Sequence, residues 1–307
     1  MSIAVQDLSG LYPAIITPMG RNGQIDYGKL DRLIEDFIAA EVSGICACGT
    51  TGQSPALSED EHREILLHVK KRIDGRCQLI VGAGSNATAK ALTQTTTIER
   101  DLGATTFLHV TGYYNNPPQA GLRAHFIALA EALRHPQSNI IPYNVPSRTA
   151  SNIEPDTVVA LAKHPRIVGI KESSGNLDQV NEIIARTDPT QFRVLTGECH
   201  QIAEVIASGG FGAISAAANV APRLLARLVA VGLAGDLEQA RALQERAKPV
   251  IGAVFAAKNP IPLAMMFSCD VRLPLVLLEE IRQSLVATMA RYECEELGID
   301  LHSYAGG

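Results

Sequence analysis

The chain has 307 residues, 46 % of them hydrophobic and 19 % charged, with a formal net charge of −5 at pH 7. That composition belongs to a globular chain with a sizeable core, and the negative balance gives no global attraction to nucleic acid or to an anionic membrane surface. The longest run of adjacent basic residues is only Lys70-Lys71-Arg72, no stretch is long and apolar enough to span a bilayer, and the opening MSIAVQDLSG lacks the pattern of a secretory signal, so a cytoplasmic protein is expected.

Short apolar runs alternate with amphipathic stretches. Tyr12–Ile16 is the first strand candidate, followed by a helix near Tyr27–Ala40 with Leu30, Leu33, Ile34, Phe37 and Ile38 on its apolar face. Ser43–Gly49 is the second strand; Ser58 then offers an N-cap, and Glu61 three residues later completes a capping box for the next helix. The alternation continues with strands at Gln78–Gly84, Thr105–Val110, Asn139–Tyr143, Ile167–Lys171, Phe192–Gly197 and Gly212–Ser215. The helices between and after them are expected near Ala87–Arg100, Ala120–Arg134, Pro155–Lys163, Leu177–Ala185, Cys199–Ala207 and Pro222–Val231. Eight strand–helix units in about 225 residues predict an α/β chain folded as a (β/α)8 barrel. Beyond them the strand signal stops. Helices are expected at Glu238–Arg246, at Val250–Met266 with a break or kink at Pro260 and Pro262, and at Pro274–Arg291. The predicted organisation is a barrel catalytic domain over 1–232 and a C-terminal helical region over 233–307.

In such a barrel the C-terminal ends of the strands form the active mouth, so polar residues there are read as a set. Thr17, the Gly49-Thr50-Thr51-Gly52 loop, Tyr113, Tyr114, Tyr143, Lys171, Gly197 and Ser215 all fall there. Lys171 closes the apolar run Ile167-Val168-Gly169-Ile170: it either turns to solvent or points an amine into an apolar enclosure. An enclosed amine can attack a ketone or aldehyde, with a nearby phenol moving protons during dehydration. The GTTG loop is either a tight turn or a cradle of amides and hydroxyls for a carboxylate. Arg148, five residues beyond Tyr143, is either a solvated loop charge or a two-pronged clamp for a second carboxylate.

Other patterns carry less. Gly82–Ala87 has the outline of a dinucleotide fingerprint but sits in the third of eight units, where a tight strand-to-helix turn explains it. The histidines do not assemble a metal site in sequence, and six scattered cysteines fit free thiols, so neither metal nor cofactor is expected.

Five motifs occur in order: GTTG at Gly49–Gly52, GYYNNP at Gly112–Pro117, YNVPSRT at Tyr143–Thr149, GIKESSG at Gly169–Gly175 and GAIS at Gly212–Ser215. With them the chain resembles, over nearly its whole length, the dihydrodipicolinate synthase / N-acetylneuraminate lyase family of Schiff-base aldolases. The resemblance implies a (β/α)8 barrel with a C-terminal helical region, in a homotetramer built as a dimer of dimers. It implies that Lys171 forms a covalent imine with pyruvate, and that Tyr143, Thr51 and Tyr114 make a proton relay, Tyr114 reaching in from a neighbouring subunit. Thr50 and Thr51 would hold the pyruvate carboxylate, Gly197 and Ile214 would turn backbone carbonyls to the site, and Arg148 would bind the carboxylate of a small aldehyde. Thr50-Thr51 with Arg148 points to the branch that condenses pyruvate with aspartate semialdehyde. Gln53, Gly112 and Ser173-Ser174 depart from that branch's usual motifs, which leaves open another 2-oxo acid, including cleavage of the N-acetylneuraminate type. An oxo-acid sensor or an oligomeric scaffold is the non-enzymatic alternative. At the inter-subunit cleft where some synthases bind lysine, formed here by Ser54, Glu59, His62, Asn86, Lys90 and Tyr113, the resemblance implies insensitivity, because Lys90 stands where a glutamate would meet the effector's ammonium.

Overall fold

The computed structural model describes residues 2–103 and 105–304. Among them are eight strands: β1 (Gly10–Pro13), β2 (Gly44–Ala47), β3 (Gln78–Ala83), β4 (Thr106–Val110), β5 (Asn139–Asn144), β6 (Gly169–Glu172), β7 (Arg193–Thr196) and β8 (Gly212–Ser215). Each overlaps its predicted run, and each is followed by a helix, from Tyr27–Ala39 after β1 to Pro222–Leu233 after β8. All eight belong to one sheet in the order β1-β8-β7-β6-β5-β4-β3-β2. The pairs from β3 through β8 run parallel, and the two ends of that order, β1 and β2, are joined beyond β1 by a parallel bridge between Ala14 and Cys46. This is the connectivity of a (β/α)8 barrel.

The chain divides into two compact units. The first comprises Met1–Gly10 and Gln78–Ile214. Its strands bury Ile80, Val81, Phe107, Ile140, Ile141, Ile170, Val194 and Leu195, with Ile98, Phe126, Leu129, Val158 and Ile183 supplied by the helices. Near-continuous apolar runs of this kind are what parallel strands covered on both faces require. The N-terminal segment is tied in by Ile3, whose amide donates to Thr106 Oγ1 at 2.8 Å and whose carbonyl accepts from Asn139 Nδ2 at 2.8 Å.

The second unit comprises Leu11–Cys77 and Ser215–Gly307. The predicted capping box is present: Ser58 Oγ accepts from the Glu61 amide at 3.1 Å, and a Glu61 carboxylate oxygen accepts from the Ser58 amide at 2.9 Å. The C-terminal helices differ from expectation. One helix runs from Leu237 to Val254 straight through Pro249, and a separate helix spans Ile261–Met266. An internal proline costs about 3 kcal/mol. Burying Val250, Ile251 and Val254, just after the proline, contributes roughly 1.5–3 kcal/mol per side chain, so packing outweighs the proline. The predicted helix over Pro274–Arg291 forms only at Arg282–Met289, after a 3-10 turn at Glu279–Ile281. Leu275, Leu277, Leu278 and Ile281 instead pack against Ala253, Ile261, Met265 and Leu285. No helix among the described residues is long and apolar enough to cross a membrane.

Candidate active site

The alternation of β5 and β6 sets the geometry. Tyr143 and Lys171 are direct partners across the parallel pair, at 8 % and 7 % exposure, and Lys171 Nζ lies 4.2 Å from the centroid of the Tyr143 ring. Lys171 thus takes the enclosed alternative of the two that the sequence left open. The phenol ring covers the amine at cation–π distance and keeps a proton-bearing hydroxyl on the adjoining strand.

Gly197, one residue past β7, explains how the lysine stem fits. Its amide donates to the Glu172 carbonyl at 2.7 Å, which draws its backbone against β6. A Cβ at this position would meet Ser173 Oγ first and would stand 2.5 Å from Lys171 Cε and 3.3 Å from Lys171 Cγ. The aliphatic stem therefore rests on a bare α-carbon. Ile214 is fully buried on β8.

The next residues in register, Asn144 and Glu172, face the other way, as strand alternation demands. Glu172 is 1 % exposed, and its carboxylate accepts from Asn144 Nδ2 at 2.9 Å, from the Ser174 amide at 2.6 Å and from Gln179 Nε2 at 3.2 Å. Burial pushes this carboxyl up, and the hydrogen bonds from Asn144, Ser174 and Gln179 pull against it. Asn144 also donates to Asn152 Oδ1 at 2.8 Å and accepts from the Ile153 amide at 2.9 Å. The buried carboxylate thereby anchors both ends of the loop after β5. Arg148 sits exposed on that loop, in the short helix Pro146–Thr149.

Tyr114 lies between β4 and the helix Gln119–Ala132, 89 % exposed and with a left-handed backbone, φ +73°. The loop start is fixed by Thr111, whose amide and hydroxyl both donate to the Tyr143 carbonyl, at 2.9 and 2.7 Å.

Thr50 and Thr51 belong to the second unit, just beyond β2. Thr51 is 3 % exposed, and its Oγ1 accepts from Asn259 Nδ2 at 2.9 Å. The flanking backbone is held by Thr17 Oγ1, which donates to the Gly52 carbonyl at 2.8 Å, and by a turn from the Gln53 amide to the Thr50 carbonyl at 3.1 Å. Gln53 is buried in a left-handed conformation, φ +55°, and its Oε1 accepts from the Arg272 amide at 3.1 Å.

Tyr143, Lys171 and Gly197 are therefore brought into contact within the first unit, and Thr50 and Thr51 form a braced loop in the second. Arg148 and Tyr114 stand on exposed loops. The Glu172–Asn144 pair and Asn259 were not singled out from sequence. A signal existed for the first: polar residues one step past Tyr143 and Lys171, on neighbouring strands, must meet on the opposite face. None existed for Asn259, which lies 208 positions from Thr51.

No group of three or more His, Cys, Asp or Glu that could hold a metal ion occurs among the described residues. His109 packs against Phe107 with its ring centroid 5.9 Å away, and burial pushes it down to about 3. Gly82–Ala87 spans the end of β3 and the turn into the helix Thr88–Leu102.

Comparison with known proteins adds three findings. The model of the dihydrodipicolinate synthetase family matches residues 7–290. The 4-hydroxy-tetrahydrodipicolinate synthases of Methanocaldococcus jannaschii and Syntrophus aciditrophicus are 41 % and 43 % identical, over 278 and 290 residues. Those matches span 88 % and 92 % of this chain and 93 % and 98 % of the relatives. A chloride-inhibited dihydrodipicolinate synthase from Acinetobacter baumannii, solved with pyruvate, superposes with a TM-score of 0.87 at 35 % identity, covering 95 % of this chain and 100 % of that one. By the extent of these matches, the chain belongs to the dihydrodipicolinate synthetase family.

Proposed function

We propose that this protein is a 4-hydroxy-tetrahydrodipicolinate synthase, a lysine Schiff-base enzyme that condenses pyruvate with aspartate semialdehyde. The observation that carries the reading is the buried Lys171 amine over the Tyr143 ring at 4.2 Å, in a chain of this family. Its amine attacks C2 of pyruvate to give a carbinolamine, and loss of water gives the imine. A relay of Tyr143, Thr51 and a neighbouring subunit's Tyr114 delivers the proton to the departing hydroxyl and takes one from the pyruvate methyl to form the enamine. Thr50 and Thr51 receive the pyruvate carboxylate, with the Gly197 and Ile214 carbonyls facing the same chamber. The enamine carbon then attacks the aldehyde, whose carboxylate Arg148 grips through two parallel hydrogen bonds. The substrate's own amine attacks C2 of the resulting imine, closing the ring and freeing Lys171, so no cofactor is consumed.

A relay completed by a neighbour requires at least a dimer, and the assembly inferred is a homotetramer built as a dimer of dimers. Borohydride with pyruvate is expected to leave a reduced adduct on the Lys171 peptide, and none with Lys171→Ala. A panel of aldehydes should give the highest kcat/KM with aspartate semialdehyde. Absence of the Lys171 adduct overturns the imine mechanism, whereas an adduct with preference for another electrophile overturns only the synthase assignment.

A further inference from the structure

We propose that Asn259, in the C-terminal region, is a positioning residue that sets the direction of the Thr51 hydroxyl proton. The inference rests on the relay reading of Thr51. Asn259 is 7 % exposed, and its Nδ2 donates to Thr51 Oγ1 at 2.9 Å. A threonine hydroxyl has one proton and two lone pairs, and its rotor settles wherever the neighbouring groups favour. A carboxamide nitrogen only donates. By filling one lone pair of Oγ1, Asn259 prevents that side of the oxygen from being the proton's resting place and turns the O–H away from the C-terminal segment. The same bond withdraws electron density from Oγ1, which makes the hydroxyl a better proton donor at no cost in charge.

Arg272, from the same C-terminal region, braces the same loop. The Arg272 amide donates to Gln53 Oε1 at 3.1 Å, two residues along the same loop, and the Arg272 guanidinium donates to the Ala56 and Gly23 carbonyls at 2.8 and 2.7 Å. Arg272 therefore braces the loop, and Asn259 fixes the Thr51 hydroxyl in it. Gln53, a departure from the usual family motif, is accounted for by this brace: its neutral amide oxygen meets a backbone N–H inside the unit.

The test compares Asn259→Asp with Asn259→Ala. The aspartate is nearly isosteric, but its ionised carboxylate only accepts, so it captures the Thr51 proton and reverses the bond. At neutral pH Asn259→Asp is expected to lower kcat roughly 100-fold, the lower end of what a positioned proton donor contributes. The final yield of borohydride adduct on Lys171 at saturating pyruvate should stay near wild type. As the pH falls and the new carboxylate takes up a proton, it can donate again, so its kcat relative to wild type should recover. Asn259→Ala should lose about 10-fold with no such recovery. Equal losses in both variants without recovery in acid would make Asn259 a structural brace only, and wild-type kcat in both would remove it from the reaction altogether. Either result overturns the proposal. Failure of the wild-type protein to trap pyruvate or to consume aspartate semialdehyde would instead overturn the functional reading on which it rests.

Discussion

Gly197 and Glu172 bracket Lys171 and make opposite demands. Gly197 must lack a side chain, because a methyl there would collide with Ser173 Oγ and lie 2.5 Å from Lys171 Cε, well inside van der Waals contact. Gly197→Ala is expected to cost about 1–3 kcal/mol of stability through overpacking, yet to lower turnover at least 10-fold by displacing the amine. Parallel melting and kinetic measurements check this, and wild-type kcat in the variant would show that the stem has room to move. Glu172 is a carboxylate whose folded-state pKa is raised by burial, so its contribution to stability is fully present below the unfolded value of roughly 4.3 and is lost as pH rises through the folded value. Glu172→Gln removes that titration while keeping one acceptor oxygen. The stability of the variant relative to wild type should therefore increase from acid to neutral pH in denaturant titrations; a relative decrease over that range would reverse the sign assigned to Glu172.

Among the elements, the start of the helix Glu59–Ile73 was legible to the residue, because it depends on two side chains three positions apart that report directly in sequence. The strands were legible for a related reason: apolar runs of four to six residues bounded by Gly, Pro or Asn have few other folds open to them. The C-terminal helices were not. Pro249 signals a break, but its neighbours Val250, Ile251 and Val254 are buried, and that tertiary gain appears nowhere in a local window. For the site, Lys171 and Tyr143 stood out as strand ends, whereas the Asn259–Thr51 bond joins segments that no spacing rule connects. A further consequence belongs to the capping box. Glu61 also pairs with Arg272, with oxygens 2.5 and 2.7 Å from the guanidinium, and this pairing, aided by the Ser58 amide, holds its carboxyl down at about 2. A lowered carboxyl contributes stability above its unfolded pKa and loses it as pH falls through the folded one. Glu61→Gln is expected to destabilise by about 2 kcal/mol at neutral pH, with the gap to wild type closing between roughly pH 4.3 and the folded value of about 2. A gap that stays constant over that range would mean that the cap, rather than the charge pair, carries the effect.

For the whole molecule, the residue that tests the proposed assembly is Tyr114. A tyrosine at φ +73° is strained by about 1–3 kcal/mol, and at 89 % exposure its ring recovers none of that by burial within its own chain. The proposed assembly would offset both with a contact outside the chain. A second copy supplies it if the phenol enters the neighbour's chamber and completes its relay, as the family reading implies. Tyr114→Phe keeps the ring and its packing but removes the transferable proton, so it should lower kcat by about 100-fold without changing the oligomer size seen by analytical ultracentrifugation. The decisive measurement mixes Tyr114→Phe subunits with Lys171→Ala subunits, each nearly inactive alone. A Lys171→Ala subunit still lends its intact Tyr114 to the lysine-bearing site of a Tyr114→Phe neighbour. Each mixed dimer therefore regains one site, and random exchange at equal amounts should restore about one quarter of the wild-type site-normalised rate. If the relay were instead completed within each chain, no mixture would exceed the sum of its parts, even where mass spectrometry confirms the hybrids.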